Sequence, residues 1–254
     1  MGDRHSISEP PRPLSVPVLV AHVKHGFEDR RRSIERQFRD LGIPFEFMLD
    51  GDIPDIDAKM SARWFDPRFP LDPAQSCACK HLLMYERIVK AGWEGALILE
   101  DDIFLLEGFA PAFEASLQEL RRQDGAVLGA AWISYENTGH VVPPRQEMKQ
   151  GQMLYRSTTT RCTGAYYIGF AAASALLHEA STRKVDKPID CWVEDMVPIL
   201  PDRLQIYWCH PAIAEQGSMN GRFDSMDSRR RAGVWRSFKW KVDKLYKSFL
   251  ARFR

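Results

Sequence analysis

The sequence predicts an α/β fold in which helices flank a mostly parallel central sheet. Three features indicate it: a strand-helix-strand unit near the start, a second apolar strand between two amphipathic helices, and a later alternation of strands and helices. The chain has 254 residues, 44% of them hydrophobic, which is ample for a large core. No internal repeat or long linker divides its body into independent domains.

The first unit is predicted over residues 17–51. The apolar segment PVLVAHV begins it as a strand, and residues 28–41 follow as a helix, because apolar residues recur there at helical spacing before Gly42. The segment IPFEFMLDG then alternates as a second strand, expected to be parallel to the first. Asp50 and Gly51 therefore lie at the carboxyl edge of the sheet, where ligands bind, although such a pair is also common in ordinary turns.

A cluster of acids is predicted at the same edge. After a polar loop over residues 52–73, a helix is expected over 78–90 and the apolar strand GALIL over 95–99. Three acids follow this strand directly: Glu100, Asp101 and Asp102. Adjacent carboxylates repel one another unless a cation neutralises them, and Mg²⁺ and Mn²⁺ prefer oxygen ligands. The cluster therefore suits a cation bound with a diphosphate, and a solvated turn that caps the next helix is the alternative.

The second half of the chain continues the alternation of helices and strands. In chain order we expect a helix at 109–122, a strand at 126–135, a polar loop at 136–152, a strand at 162–170 feeding a helix at 171–180, an acidic turn-like stretch at 186–201 and a last strand at 204–211. The five cysteines are scattered and lack the spacing of zinc pairs, so we expect reduced packing residues: Cys77, Cys79, Cys162, Cys191 and Cys209.

The two ends of the chain differ from its body, which we place at residues 17–228. Residues 1–16 form a leader, expected to be disordered, without the apolar segment of a signal peptide, so we expect a cytoplasmic protein. Residues 229–254 hold ten of the 35 Lys and Arg residues but one of the 34 acids. As a helix, this tail is basic and amphipathic, which is typical of peripheral binding to an anionic membrane, here the inner face. A helix packed on the body is the alternative, and nucleic acid is not expected because the body is acidic.

Seven segments between residues 18 and 216 together resemble one known family. They are EDRRRSIERQFRDLGIPFEF, MLDG, SCACKHLLMYERIV, ALILEDDIFL, TGAYYIGFAAASALL, KPIDCWVEDM and IYWCHPAIAEQG. In this order they resemble glycosyltransferase family 25, the lipooligosaccharide galactosyl- and glucosyltransferases and their collagen-modifying relatives. The resemblance implies a GT-A-like fold, a nucleotide-diphosphate sugar donor and a divalent ion at a D-x-D-type motif.

The resemblance also implies roles for single residues. Asp102 is the expected metal ligand, Glu100 and Asp101 contact ribose, the metal or its bound water, and Asp50 with Gly51 contacts the nucleoside. Further residues of the site are expected to be Lys80, His81, His210 and Gln216.

Lys80, His210 and Gln216 have separate expected roles. Lys80 stands where the family shows the serine of a Ser-His pair, so it is expected to approach a donor phosphate, beside His81. His210 is a candidate third metal ligand, with a packed imidazole as the alternative, and Gln216 is a candidate donor or acceptor contact.

The expected reaction is a metal-dependent, inverting transfer of a hexose, galactose before glucose, from a UDP-sugar to a lipopolysaccharide- or lipooligosaccharide-type acceptor. Mn²⁺ or Mg²⁺ would act as the Lewis acid, and a carboxylate would take the proton of the acceptor hydroxyl. The candidates for this base are Asp186, Asp190, Glu194 and Asp195, and similarity to the family's P-x-D element favours Asp190. Acids that merely cap a short helix are the alternative. An inactive relative that tethers a partner to the membrane is the alternative function.

Overall fold

The computed structural model describes residues 13–123, 125–136 and 146–223. Within these ranges the strands are β1 (Val18–Ala21), β2 (Glu46–Met48), β3 (Gly95–Glu100), β4 (Ile103–Leu105), β5 (Ala131–Ser134), β6 (Leu154–Ser157), β7 (Ala165–Gly169), β8 (Gln205–Cys209) and β9 (Ala214–Gln216). The helices are α1 (Glu28–Leu41), α2 (Ala58–Trp64), α3 (Pro73–Ala91), α4 (Phe109–Arg122), α5 (Phe170–Thr182), α6 (Ile189–Met196) and α7 (Gly217–Asn220). Short 3₁₀ turns occupy Ile53–Asp55 and Leu128–Ala130.

Seven strands form the central sheet in the order β2-β1-β3-β7-β5-β8-β6. Strands β1, β2, β3, β5 and β8 run in one direction, whereas β7 and β6 run in the other. The predicted α/β fold with a mostly parallel central sheet flanked by helices is therefore confirmed. Strands β4 and β9 form a separate antiparallel pair.

The apolar run of β3 is explained by its place inside the sheet. Helices α2, α3, α5 and α6 cover one face of the sheet, and α1 and α4 cover the other. Side chains of a strand alternate between faces, so Ala96 and Ile98 join the first core while Leu97 and Leu99 join the second. A strand buried on both faces needs apolar residues at every position. The acids that follow it are thus held at the edge of a rigid, fully buried strand.

The first strand-helix-strand unit has its predicted form. Helix α1 spans the predicted residues and buries Ile34 and Phe38. It ends at Gly42, which adopts the left-handed conformation with φ of 63° and donates its N–H to the carbonyls of Arg39 and Phe38. Strands β1 and β2 pair in parallel, as expected.

Several elements differ from the sequence predictions. Helix α3 begins at Pro73 rather than at residue 78, because the Asp72 carboxylate caps it by accepting the N–H groups of residues 74 and 75. The predicted loop over 52–73 contains α2, and the stretch predicted as turn-like contains α6. Strands β4, β6 and β9 were not predicted.

The ends of the chain are only partly described. Of the predicted leader, residues 13–16 are described, and the predicted basic tail over 229–254 lies outside the described residues. Among the helices that the structure does describe, none has both the length and the apolar character needed to cross a bilayer.

Candidate active site

A cleft opens at the carboxyl edge of β1 and β3. Its walls come from the ends of these strands, from α1 and α3, and from the segment after β9. Five of the predicted site residues line it: Lys80, Glu100, Asp101, Asp102 and Gln216. The cleft also contains residues that the sequence did not single out for this site: His22, Arg30, Ser76, Cys77 and Ser218.

The pairing of β4 with β9 brings the end of the described chain onto the acid cluster. Ile103 pairs with Gln216, so the next residues pass directly over Asp102. The backbone N–H of Gly217 donates to the Asp102 carbonyl at 2.7 Å. A Cβ at position 217 would lie 2.8 Å from that carbonyl oxygen, so the close approach requires glycine.

Asp102 is a buried carboxylate with one oxygen that lacks a hydrogen-bond partner among the described residues. Its side chain accepts the backbone N–H of Ser218 on Oδ2 at 3.0 Å, and the residue is 2% exposed. Its other oxygen, Oδ1, has no hydrogen-bond partner among the described residues. Burial, and next the charge of Glu100, raise the pKa of Asp102 to about 6. An ionised carboxylate in this position gains most from a bound cation, so the site fits Mn²⁺ or Mg²⁺.

Asp101, in contrast, has protein partners on both oxygens. His22 Nδ1 lies 2.7 Å from Oδ2, and Arg30 Nη1 donates to Oδ1 at 2.9 Å. All three residues are buried, and the Arg30 guanidinium also lies over the ring of Phe27, 4.6 Å from its centroid. Both carboxylate oxygens of Asp101 are therefore engaged by protein groups, so the structure supports a role in positioning Asp102 rather than in binding a metal. A His at the end of a strand and an Arg in the first turn of a helix were the available sequence signals.

Glu100 connects the acid cluster to two other segments. Its Oε1 accepts the Thr163 hydroxyl at 2.8 Å, and its Oε2 accepts the Gln216 side-chain amide at 3.2 Å. Its side chain is 23% exposed, so it still faces the cleft. The predicted site residue Gln216 is thus brought to Glu100.

Lys80 has its protein partners in the loop that follows β2. Its Nζ donates to the carbonyls of Leu49 at 2.9 Å and Asp50 at 3.2 Å, and it lies 2.8 Å from Asp52 Oδ1. Gly51 in this loop has φ of +94°, and a Cβ there would lie 3.2 Å from Lys80. Three partners hold the Lys80 ammonium against the loop. The structure therefore supports a role for Lys80 in fixing this loop more directly than a role in contacting a phosphate.

The Asp50 side chain, in the same loop, faces solvent. It is 76% exposed, and Lys24 Nζ lies 3.3 Å from its Oδ1. This solvent-facing position keeps the carboxylate accessible to a ligand.

The acids of α6 lie apart from the residues that line the cleft. Glu194 accepts the backbone N–H and the hydroxyl of Thr160, and burial raises its pKa. Asp195 is exposed and pairs with Lys187 at 2.6 Å. Asp190 is partly buried and accepts the N–H of Cys191.

Cys162 lies near both the α6 acids and the acid cluster of the cleft. Burial, followed by the charges of Glu136, Asp190, Glu100 and Glu194 in that order, raises the pKa of the Cys162 thiol. Cys162 precedes Thr163, whose hydroxyl holds Glu100. Asp190 and Glu194 therefore lie near the segment that borders the acid cluster, without lining the cleft itself.

His210 and His81 occupy different environments. His210 precedes a cis proline, its N–H donates to the Met153 carbonyl at 2.7 Å, and it is not among the residues that line the cleft. His81 is fully buried on α3, with Nδ1 2.6 Å from the Tyr166 hydroxyl. The structure thus places His81, but not His210, beside Glu100, since His81 Nε2 lies 3.6 Å from Glu100 Oε1.

The cysteines are free, as expected, but one of them has an unexpected position. All five are present as thiols without a disulfide. Cys79 and Cys209 are buried, consistent with packing. Cys77 instead lines the cleft, which the sequence pattern did not indicate.

Glu136 is a buried acid that sequence reasoning missed. It is 1% exposed, and its Oε1 accepts the N–H of Gly164 at 2.7 Å. Burial, followed by the charge of Glu100, raises its pKa well above the ordinary carboxyl value. It stands at the end of β5 and so ties the segment after Cys162 to the sheet.

This shifted pKa predicts a pH dependence of stability. The pKa of Glu136 is higher in the folded protein than in the unfolded chain, so folding favours the protonated carboxyl. The stability that this provides is fully present below the unfolded-state pKa and is lost as pH rises through the folded-state pKa. In EDTA, Glu136→Gln should therefore be more stable than wild type at pH 8, with the difference shrinking toward pH 4. Urea unfolding across this range measures it, and parallel curves for the two proteins would contradict the assignment.

The family model described as glycosyltransferase family 25 (LPS biosynthesis protein) matches residues 25–193. Among solved structures, the chain is similar to a glycosyltransferase involved in the glycosylation of the major capsid of PBCV-1. That similarity has a TM-score of 0.44 and 12% identity, and covers 89% of this chain and 98% of that chain. No curated protein matches the chain.

Proposed function

Because this chain belongs to glycosyltransferase family 25, we propose that it moves a hexose from a UDP-sugar to a lipopolysaccharide- or lipooligosaccharide-type acceptor, with inversion. Galactose is the favoured sugar and glucose the next. The observation that carries the proposal is the buried Asp102 carboxylate, which lines a cleft at the carboxyl edge of the sheet and whose Oδ1 has no hydrogen-bond partner among the described residues. This is where α/β folds bind nucleotide ligands.

Asp102 is proposed to hold Mn²⁺ or Mg²⁺. Such an ion supplies Lewis-acid stabilisation of the departing nucleotide diphosphate. The Ser218 N–H fixes Oδ2 of the carboxylate, so Oδ1, which has no hydrogen-bond partner among the described residues, would be the oxygen that holds the ion. Glu100 stands beside it, held by Thr163 and Gln216, and is proposed to contact the donor ribose or bound water.

The remaining donor contacts are assigned to the loop after β2. Asp50 presents an exposed carboxylate there, and we assign it to the nucleoside. Lys80 fixes this loop by donating to two of its backbone carbonyls and pairing with Asp52. Asp101, fixed by His22 and Arg30, supports Asp102 in the same way at the end of β3.

The acceptor hydroxyl needs a base, and Asp190 is the α6 acid that best fits this role. Glu194 is committed to Thr160, and Asp195 is exposed and paired with Lys187. Asp190 accepts the backbone N–H of Cys191 and lies near the segment that borders Glu100. Its partial burial leaves the carboxylate accessible to a substrate.

Loss of this base should lower turnover without weakening donor binding. General-base catalysis is worth about 10²- to 10⁴-fold, so Asp190→Asn is expected to lower kcat by this factor while KM for the donor stays within about threefold. Asp195→Asn, which removes an exposed carboxylate on the same helix, should change kcat little. Equal losses in the two variants, or a loss confined to KM, would rule out this base.

The donor and the reaction are tested together by UDP release. Wild-type protein is incubated with UDP-galactose, UDP-glucose and other UDP-sugars, each with Mn²⁺ and in EDTA, with a lipooligosaccharide acceptor. We expect release from one hexose donor, UDP-galactose first, that requires the cation and the acceptor. Absence of release from every donor would remove the proposed activity.

Residues 229–254 are proposed to hold the enzyme at an anionic membrane surface, near a glycolipid acceptor. Their ten basic residues and one acid support this, since polybasic amphipathic segments bind anionic lipid. Sedimentation with vesicles of phosphatidylglycerol should retain the full chain but not a chain ending at residue 228. Equal binding of both chains would contradict the assignment.

A further inference from the structure

Three different metal-binding side chains meet where α3 faces the end of β3: Cys77 and Glu100 line the cleft, and His81 is fully buried. Cys77 and His81 are four residues apart on α3, so they share a helix face, and Glu100 ends β3 opposite them. One ligand atom from each lies within 4.8 Å of the other two. We propose that Cys77, His81 and Glu100 form a second cation site, selective for Zn²⁺ and similar borderline metals, beside the acid cluster.

The distances within this group are close to those of a zinc site. Glu100 Oε1 lies 3.6 Å from His81 Nε2 and 4.0 Å from Cys77 Sγ. Zinc bonds of about 2.0–2.3 Å in a tetrahedral arrangement place two ligand atoms about 3.4–3.6 Å apart. The imidazole and the carboxylate already meet this separation, and the thiol, within 4.8 Å of both, needs to move closer to them.

His81 is the observation that points most directly to a ligand. The residue is fully buried, and its Nε2 has no hydrogen-bond partner among the described residues. A buried polar atom left in this state costs stability, which a metal bond would relieve. Glu100 Oε1 stands just beyond hydrogen-bonding distance of that nitrogen, at 3.6 Å.

The groups behind the ligands fit the same role. His81 Nδ1 lies 2.6 Å from the Tyr166 hydroxyl, which lies 3.0 Å from the Tyr85 hydroxyl. Histidines that bind metals commonly use the second ring nitrogen in such a hydrogen bond, which sets the tautomer and directs the other nitrogen at the ion. The Thr163 hydroxyl holds Glu100 Oε1 in a comparable way.

The ligand set selects the class of metal. Thiolate and imidazole favour zinc over Mg²⁺ and Mn²⁺, which prefer sites made of oxygen atoms, such as the one at Asp102. Three protein ligands leave a fourth position for water or a substrate atom. Glu100 belongs to both sites, so zinc bound here would compete with the sugar donor. This competition rests on the proposed function, whereas zinc binding itself does not.

Cobalt spectroscopy tests the site without any sugar donor. The full-length protein, freed of metal with a chelator, is titrated with Co²⁺, which reports a cysteine ligand through a thiolate-to-metal charge-transfer band. We expect this band in wild type, its displacement by Zn²⁺, and its loss in Cys77→Ser. Cys191→Ser is the matched control, because Cys191 is an exposed cysteine on α6, and it should keep the band.

Zinc affinity gives the quantitative result. Loss of a direct ligand should weaken Zn²⁺ binding at least about 100-fold, because even the outer partners of metal ligands are worth about 10- to 100-fold. Circular dichroism verifies that both variants are folded. A missing band in wild type, or a band and affinity unchanged in Cys77→Ser, would overturn the site. Failure of UDP release with the band present would overturn the proposed function alone.

Discussion

Asp102→Asn is expected to abolish sugar transfer while leaving the protein folded. Asparagine keeps an oxygen for the Ser218 N–H but cannot supply the negative charge that a cation requires. Charge stabilisation by a bound metal is worth several kcal/mol, and about 1.4 kcal/mol corresponds to a tenfold change in rate. We therefore expect kcat/KM to fall by at least about 1,000-fold, measured as UDP release with the preferred donor.

The stability of this variant separates catalysis from folding. Because burial raises the pKa of Asp102, its ionised form is unfavourable in the fold without a metal. In EDTA at pH 8, Asp102→Asn should be at least as stable as wild type in urea unfolding. Asp202→Asn, an exposed carboxylate in the turn after α6, is the control and should keep full activity. Wild-type activity in Asp102→Asn would exclude the proposed cation site.

Arg30→Met is expected to have the largest effect on stability. Arg30 and Asp101 are both buried, and their ion pair spans 2.9 Å between α1 and the end of β3. Removing one partner of a buried pair costs about 3–5 kcal/mol, here because the buried Asp101 charge loses the guanidinium and keeps the His22 contact. The free energy of unfolding, measured in urea with EDTA present, should fall by this amount. Since Asp101 adjoins Asp102, activity should fall as well.

Arg31→Met provides a matched control one residue along the same helix. Arg31 pairs with Glu35 at 3.0 Å, but both side chains are more than one third exposed. Exposed pairs of this kind contribute less than about 1 kcal/mol. A double variant, Arg30→Met with Asp101→Asn, removes the buried charge and should recover part of the lost stability. A double variant no more stable than Arg30→Met would show that the buried charge is not the cause.

The elements that were predicted correctly are those with strong local signals. Helix α1 has an apolar stripe and a terminal Gly42, and β3 is an apolar run followed by acids. Both signals lie within about fifteen residues, so they can be read without knowing the rest of the fold. The position of Glu100, Asp101 and Asp102 at the sheet edge followed from the same reasoning.

The partners of these acids could not be predicted because they are distant in sequence. His22 and Arg30 lie 79 and 71 residues from Asp101, and Ser218 lies 116 residues from Asp102. These contacts depend on sheet order and on the pairing of β4 with β9, which no local period encodes. The burial that raises the pKa of Asp102 depends on the same long-range pairing.

Helix α6 was predicted incorrectly for a different reason. Its acids and flanking prolines suggested a turn, yet its apolar residues Ile189, Trp192, Val193 and Met196 recur at helical spacing and are buried. Counting these positions against a helical template would have found the helix. The segment has eight residues, three of them acids, so it spans little more than two helical turns in which to show the period.

The central claim is that a nucleotide diphosphate and a divalent cation bind together at the carboxyl edge of β1 and β3. Calorimetric titration of UDP into wild type and Asp102→Asn, each with Mn²⁺ and in EDTA, tests it most directly. We predict that wild type binds UDP at least about tenfold more tightly with Mn²⁺, equivalent to about 1.4 kcal/mol, and that Asp102→Asn does not distinguish the two conditions. UDP binding by wild type that is absent, or that is equally tight in EDTA, would contradict the claim.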